Sequence, residues 1–289
     1  MKKEMNLIDA LNHLLLSKEI IDLELYDKAV DQINDLLILV QKENREEISN
    51  FLWKFKTIFQ IKKGYIQAFS LIKNKEYLDS WALLAELETD IILLEKNIDD
   101  IFSQKYKVFF YKEMVKNWQS LFPYKIFFSM GFTVKYYLCS ICSEVVKPRN
   151  RCKHKKGMLY NGELCFHIGG EIEEIKEISV VKTPMQKICI PLIDYDYSIV
   201  DYVSERLQNP FDGWVPVKSK RTLKRSDFGH LDEDAICPCQ EEMTLFKDCC
   251  FNKDKIELPH IDILFEKSLP PELENEIIRI GKKVLTNSI

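Results

Sequence analysis

Glycine and proline are scarce in this sequence, nine and ten among 289 residues, and they are unevenly placed. No proline occurs before Pro123, and Gly64 is the one glycine before Gly131. A stretch that free of breakers predicts uninterrupted helices over roughly the first 120 residues. The shortage also excludes reactions. The chain holds no glycine-rich phosphate loop, no His-Glu-x-x-His and no nucleophile elbow, so nucleotide hydrolysis, zinc-protease chemistry and acyl transfer all lack their usual apparatus. Long apolar runs are missing too. None approaches the ~18 residues of a membrane span. Between Met1 and Leu25 the charges at Glu4, Asp9, Lys18, Glu19, Asp22 and Glu24 interrupt any secretory signal core. The expected location is therefore the cytoplasm, with no membrane association. Strong net charge is likewise absent: 41 basic against 45 acidic residues leave −4, so bulk charge does not attract a polyanion.

Cysteine is what the chain has instead. All nine cysteines lie at or beyond Cys139, and in a reducing compartment such clustering reads as metal ligation rather than a disulfide frame. Cys139-Ser140-Ile141-Cys142 has the spacing of one half of a zinc knuckle, and Cys152-Lys153-His154 follows nine residues later. Two ligands across a tight turn plus two from the next loop predict a tetrahedron of three thiolates and one imidazole on Cys139, Cys142, Cys152 and His154. Cys165 and His167 follow closely and are reserve ligands, expected beside the site. A second group of four thiols arrives as Cys237-Pro238-Cys239 and Cys249-Cys250. At that density thiolates are how a short, weakly apolar segment folds, because tetrahedral zinc supplies the folding free energy. The expected cofactor is two zinc ions.

The second group resembles the SEC-C motif, the zinc-binding tail of the SecA export motor that recurs in many bacterial proteins. Cys237, Pro238, Cys239, Phe246, Lys247, Cys249 and Cys250 match its pattern, and Gln240-Glu241-Glu242 stands where the family has Gly-Ser-Gly. The resemblance implies that Cys237, Cys239, Cys249 and Cys250 ligate the metal. A second resemblance covers about fifty residues around Cys139, Cys142, Cys152, His154, Gly157, Tyr160, Gly162, Cys165, Glu177, Ser179, Val181 and Pro184. That string is similar to a zinc-binding segment of phage and prophage proteins. It implies a metal site and a small sheet, without a protease apparatus.

The expected fold class is α+β, in three parts: a helical bundle over 1–123, a zinc-knuckle and β domain over 124–215, and a SEC-C-like module with a tail over 216–289. Apolar stripes at Val30–Val40, Ile48–Phe59, Tyr65–Ile72 and Trp81–Leu94 follow helical spacing, with Asp79 as a cap and Lys73-Asn74-Lys75-Glu76 as a turn. The last two stripes suggest an antiparallel hairpin of the tetratricopeptide kind, and His13 reads as a packed histidine. Lys125–Phe128 and Phe132–Leu138 predict a hairpin hinged at Gly131. Residues 172–193 predict two strands joined at Thr183-Pro184-Met185, with Cys189 buried in the second. A helix is expected over 197–207, then a turn at Phe211-Asp212-Gly213-Trp214 pinned onto the sheet, and a last helix from Pro271 to Leu285.

Two basic patches depart from the acidic average. Lys147, Arg149, Arg151, Lys153, Lys155 and Lys156 lie in the first zinc loop, and Lys218, Lys220, Arg221, Lys224 and Arg225 precede the second. Basic side chains on a metal-stiffened loop suit phosphates or an acidic protein surface. The reading that fits best is a non-catalytic zinc-binding adaptor for a protein or nucleic-acid partner. The alternative is an enzyme or enzyme subunit of a phage-defence or prophage-linked system. Asp194 with Asp196, the nearest thing to a carboxylate pair, reads as a polar turn.

Overall fold

The computed structural model describes residues 2–147, 149, 152–239 and 244–266. The architecture is α+β, helices first and then small two-stranded sheets. It divides into two compact units, 1–211 and 212–289. Arg151, the acidic run at 240–242 and the helix expected from Pro271 lie outside the described residues.

In the first unit, α1 (Lys2–Leu16), α2 (Leu23–Lys42), α3 (Glu46–Lys73), α4 (Tyr77–Glu95), α5 (Asp100–Lys105) and α6 (Val108–Leu121) follow one another with short turns. Asp22 and Asp99 accept backbone N–H groups at the starts of α2 and α5, satisfying donors that a helix leaves open. The two middle apolar stripes belong to one long helix, α3, which buries Phe55, Phe59, Tyr65, Phe69 and Ile72. Across from it α4 buries Trp81, Leu84, Leu87, Ile91 and Leu94. Gly64 sits where these helices approach closely, since a Cβ there would lie 2.7 Å from Leu87 Cδ2. The turn at 73–76 lies where the sequence places it, but α4 starts after Glu76, whose side chain makes no cap bond, and Asp79 falls in its first turn. His13 is exposed rather than packed, on the solvent side of α1.

Among the described residues Lys62 is the one buried lysine, 1 % exposed. Its ammonium donates to the carbonyls of Leu14 and Leu15 in the last turn of α1 and to that of Ser17. It also lies 5.2 and 5.0 Å from the ring centroids of Tyr26 and Phe211. It thus closes a helix C-terminus from another helix. Burial, with Lys107 nearby, lowers its pKa to about 8.

After Pro123 the expected hairpin at Gly131 does not form. β1 (Phe127–Val134) runs straight through that glycine and pairs antiparallel with β6 (Ile172–Val181). Phe128, Met130, Phe132 and Val134 lie opposite Val180, Ile178, Ile175 and Ile172. Isoleucines three apart cannot share one face of a regular strand. Two register shifts take up Lys176 and Glu173, and so return all three to the face of β1's apolar residues. The second expected strand is absent: residues 184–193 are irregular, and Cys189 is exposed. Trp81 Nε1 donates to the Lys187 carbonyl and Lys187 reaches Glu88 and Gln119, which fixes this segment on α4 and α6 instead. Asp196 accepts from Ser198 N at the start of α7 (Ser198–Arg206), a structural use for that carboxylate. Phe211 packs among Tyr65, Phe110 and Tyr111 of the helices, not on a sheet.

The second unit is built on a long antiparallel ribbon, β7 (Trp214–Lys224) against β8 (Lys255–Phe265). Residues 225–254 are an insertion between its strands. They carry a short 3-10 turn at Arg225–Phe228 and the four-residue helix α8 (Phe246–Cys249). No helix among the described residues is long and apolar enough to cross a membrane.

Candidate metal centres

The first centre starts at the end of β2 (Tyr137–Cys139), which pairs with β5 (His167–Gly169). Past Cys139 the chain turns tightly: Ser143 N donates to the Cys139 carbonyl and takes a positive φ of 58°. That turn brings Cys142 back toward Cys139, and the next loop adds Cys152 and His154. The ligand atoms of Cys139, Cys142, Cys152 and His154 all lie within 4.8 Å of one another and could hold a metal ion. Cys139 Sγ and His154 Nδ1 are 3.6 Å apart. A tetrahedral ion with bonds of about 2.3 Å to sulfur and about 2.0–2.1 Å to nitrogen requires an edge near ~3.6 Å, so the donors fit. Burial works to raise the Cys139 thiol, but backbone N–H groups of Cys142 and Ile141, together with Cys152, outweigh it and bring it to about 6.

Tyr160 orients the histidine. Its ring meets His154 edge-on at 4.6 Å, and its hydroxyl accepts from Lys155 N at 2.8 Å. A ligand ring held by a neighbour loses less freedom on binding metal. Tyr160 ends β3 (Leu159–Tyr160), joined to β4 (Glu163–Leu164) by Asn161-Gly162. Both turn residues have positive φ, 46° and 78°, as a two-residue hairpin of the Asn-Gly kind requires. Gly162 has a second reason to lack a side chain, because a Cβ would lie 2.7 Å from Leu37 Cδ1 and 3.1 Å from the Ser49 carbonyl. The hairpin therefore seats directly on α2 and α3, with Gly162 N donating to Asn50 and Gln41 Nε2 to the Asn161 carbonyl. Asn97, beyond α4, accepts from Leu159 N and donates to the Gly157 carbonyl.

The reserve residues occupy different places. Cys165 is fully buried with its sulfur 3.8 Å from Cys139 Sγ, and burial pushes its thiol up to about 11. It is not one of the four clustered ligand atoms. His167 lies opposite Cys139 in the β2–β5 register, half-buried and outside the cluster.

The second centre lies in the insertion of the β7–β8 ribbon. Ile236 bridges Leu245, and Cys237 N donates to the Thr244 carbonyl, which closes the Cys-Pro-Cys turn. One turn of helix, α8, then returns Cys249 and Cys250. The sulfurs of Cys237, Cys239, Cys249 and Cys250 lie within 4.8 Å of one another. Cys239–Cys249 is 3.5 Å and Cys249–Cys250 is 3.7 Å. A four-sulfur tetrahedron with bonds of about 2.3 Å has an edge of about 3.8 Å, so this donor set fits as well. Burial raises the Cys250 thiol to about 12, while hydrogen bonding from Cys239 lowers that of Cys249. Phe228, Phe246 and Ile256 are buried with the cysteines, and Phe251 and Leu223 pack against them. None of the nine cysteines is in a disulfide.

The basic patches are only partly on loops. Lys147, Arg149, Lys153, Lys155 and Lys156 are exposed beside the first centre. Lys218, Lys220, Arg221 and Lys224 lie on strand β7, not in a loop. Lys220 pairs with Glu257 at 3.2 Å. Arg225 is committed to packing: its guanidinium lies 4.7 and 4.6 Å from the rings of Phe246 and Phe251 and donates to the Phe251 carbonyl. The missed signals were local ones, the Asn161-Gly162 turn and the apolar alternation of 256–265 that Pro259 interrupts. No protein-family model, curated protein or solved structure matches this chain.

Proposed function

We propose that this protein is a non-catalytic zinc-binding adaptor, its first centre a site of three cysteines and one histidine and its second a four-cysteine site of the SEC-C kind. The supporting observation is that each cluster offers four ligand atoms within 4.8 Å, a complete tetrahedral set. With four protein ligands a zinc ion has no open position for water, so the ion stiffens the chain and performs no hydrolysis. What the stiffened chain displays is basic. Five exposed lysine and arginine side chains flank the first centre, and β7 carries four more beside the second. Zinc binding would fix the loop of the first group, and pairing with β8 fixes the strand of the second, before any partner arrives, which lowers the ordering cost of association. The partner of matching chemistry is nucleic acid, bound through phosphates.

Protein purified without added zinc should contain close to two equivalents by elemental analysis. Cobalt in place of zinc should give the visible absorption of tetrahedral thiolate sites. Binding to labelled single- or double-stranded RNA or DNA should weaken linearly in log–log salt plots. Replacing Arg149, Lys153, Arg221 and Lys224 by alanine should flatten that slope while both metals stay bound. One metal equivalent, or no nucleic-acid binding at low salt, would overturn the reading; in the second case an acidic protein surface becomes the partner to test.

A further inference from the structure

The β1–β6 ribbon leaves an apolar face uncovered. Residues 128, 130, 132 and 134 alternate on one face, and their four cross-strand partners are all aliphatic, so eight apolar side chains share that face with no charged or hydrogen-bonding group among them. Seven of the eight are between 41 and 67 % exposed. The reverse face, by contrast, holds Ser129, Gly131 and Thr133 opposite Ser179, Glu177 and Glu174, and at its end Phe127 stacks on buried Trp81. The hydrophobic face thus points to solvent, while on the reverse face only Phe127 is shown against the helices and Glu174 and Glu177 are themselves exposed. A two-stranded ribbon is marginal in water unless its apolar face is covered. An uncovered patch of this size marks an interaction surface. The two register shifts in β6 keep Ile172 and Ile175 in line on this face, at the expense of regular pairing.

From this geometry we infer that the face pairs with the same face of a second copy of this chain, ribbon on ribbon across a two-fold axis. The area is right. The exposed apolar side chains present roughly 700 Å² per copy, against the ~800 Å² per partner of a standard interface. The chemistry is right as well. A face without charge or hydrogen-bonding groups is self-complementary, and two-fold symmetry presents its match automatically. Packed sheets about 10 Å apart interdigitate such side chains. A lipid surface fits less well, because β6 carries Glu173, Glu174 and Glu177 against Lys176 alone, a balance that anionic headgroups repel.

Sedimentation equilibrium of the full-length, zinc-loaded protein tests this. The wild type should dimerise reversibly, and the Phe132→Lys/Ile178→Lys double variant should weaken the dimer at least about a hundredfold. Both side chains are already exposed, so metal content and circular dichroism should not change. A second double variant, Met130→Lys/Ile175→Lys, should act in the same way, whereas Ser129→Lys on the reverse face should leave the dimer intact. Hydrogen exchange at 127–134 and 172–181 should slow as concentration rises. A wild type that remains monomeric at about 100 µM overturns the inference. So does a dimer that both face variants leave unchanged, which would place the interface elsewhere.

Discussion

The two candidate metal centres have similar ligand chemistry and opposite surroundings. The first is attached to helices: Asn50, Gln41 and Asn97 hold its hairpin by side-chain bonds to backbone, and Gly162 lets it approach α2 and α3. Those helices have a large core of their own, made by α3 and α4 without any cysteine. The second centre makes its own core. Its buried cluster is three apolar residues and three of the four thiols, so the ligands themselves are half of what is inside. A metal near a pre-built scaffold refines local geometry. A metal at the middle of a minimal cluster supplies the reason for the cluster to exist.

Metal removal should separate the two most strongly. Chelation is expected to unfold the 225–254 insertion, since structural zinc in comparable small modules contributes about 10–16 kcal/mol of apparent binding energy. The helices of the first unit should persist, with the first metal centre loosened but Leu159 and Gly162 still on the bundle. Amide exchange followed after chelation would show fast exchange at 236–251 and protected amides in α3 and α4. A single cooperative loss of both would break the comparison and show that the bundle depends on the metal.

The same contrast decides what could be read in the sequence. Both ligand sets are short-range patterns, and local spacing is enough to bring four donors together. The helical stripes are legible for the same reason, except that two of them form one helix through Gly64, a glycine that serves the packing against Leu87. The strands are not. In the sequence β1 looks like half of a local hairpin, yet its partner lies some forty residues on, beyond the first cysteine–histidine cluster. The spacing of Ile172, Ile175 and Ile178 hides the strand face, which only the register shifts restore. Likewise β7 and β8 are thirty residues apart, with Pro216, Pro259 and a run of lysines obscuring alternation. Pairing over such distances is fixed by tertiary contacts, which no local pattern records.

Asn97→Ala would sharpen the first half of the comparison. The substitution leaves the Leu159 N–H and the Gly157 carbonyl without their partner, at a cost of about 2–3 kcal/mol. The expected result is a lower denaturation midpoint for the first unit and a weaker first metal site, with the second site unaffected. Competition with a colorimetric chelator resolves the two affinities.

Arg225→Met would do the same for the second half, with a smaller effect. It keeps the aliphatic stem but removes two ring contacts and the bond to the Phe251 carbonyl, about 1–2 kcal/mol in all. Faster metal release from the second centre alone is expected, read as biphasic chelation kinetics in which only one phase changes. If nucleic-acid binding fell in proportion to the charge removed while release stayed constant, Arg225 would be a phosphate contact and the packing role would be wrong.

The smallest effect concerns the bundle's independence from metal altogether. Lys62 is held in the core by three carbonyls, and burial lowers its pKa from the ordinary 10.5 to about 8. Below pH 8 the lysine is charged in folded and unfolded chains alike, and the burial penalty is present in full. Between pH 8 and 10.5 the unfolded chain binds the proton and the folded chain does not, so stability rises with pH across that window. After allowance for the carbonyl bonds, which favour the charged form, the rise is on the order of 1 kcal/mol. Urea midpoints of the helical signal, taken from about pH 7.5 to 10.5 in wild type and Lys62→Met, isolate this contribution as a difference that grows with pH. The difference should be the same with zinc bound and with zinc removed. A difference that vanished on chelation would mean that the first centre reaches into the α1–α3 contact, and that the helices hold their geometry only with the metal in place.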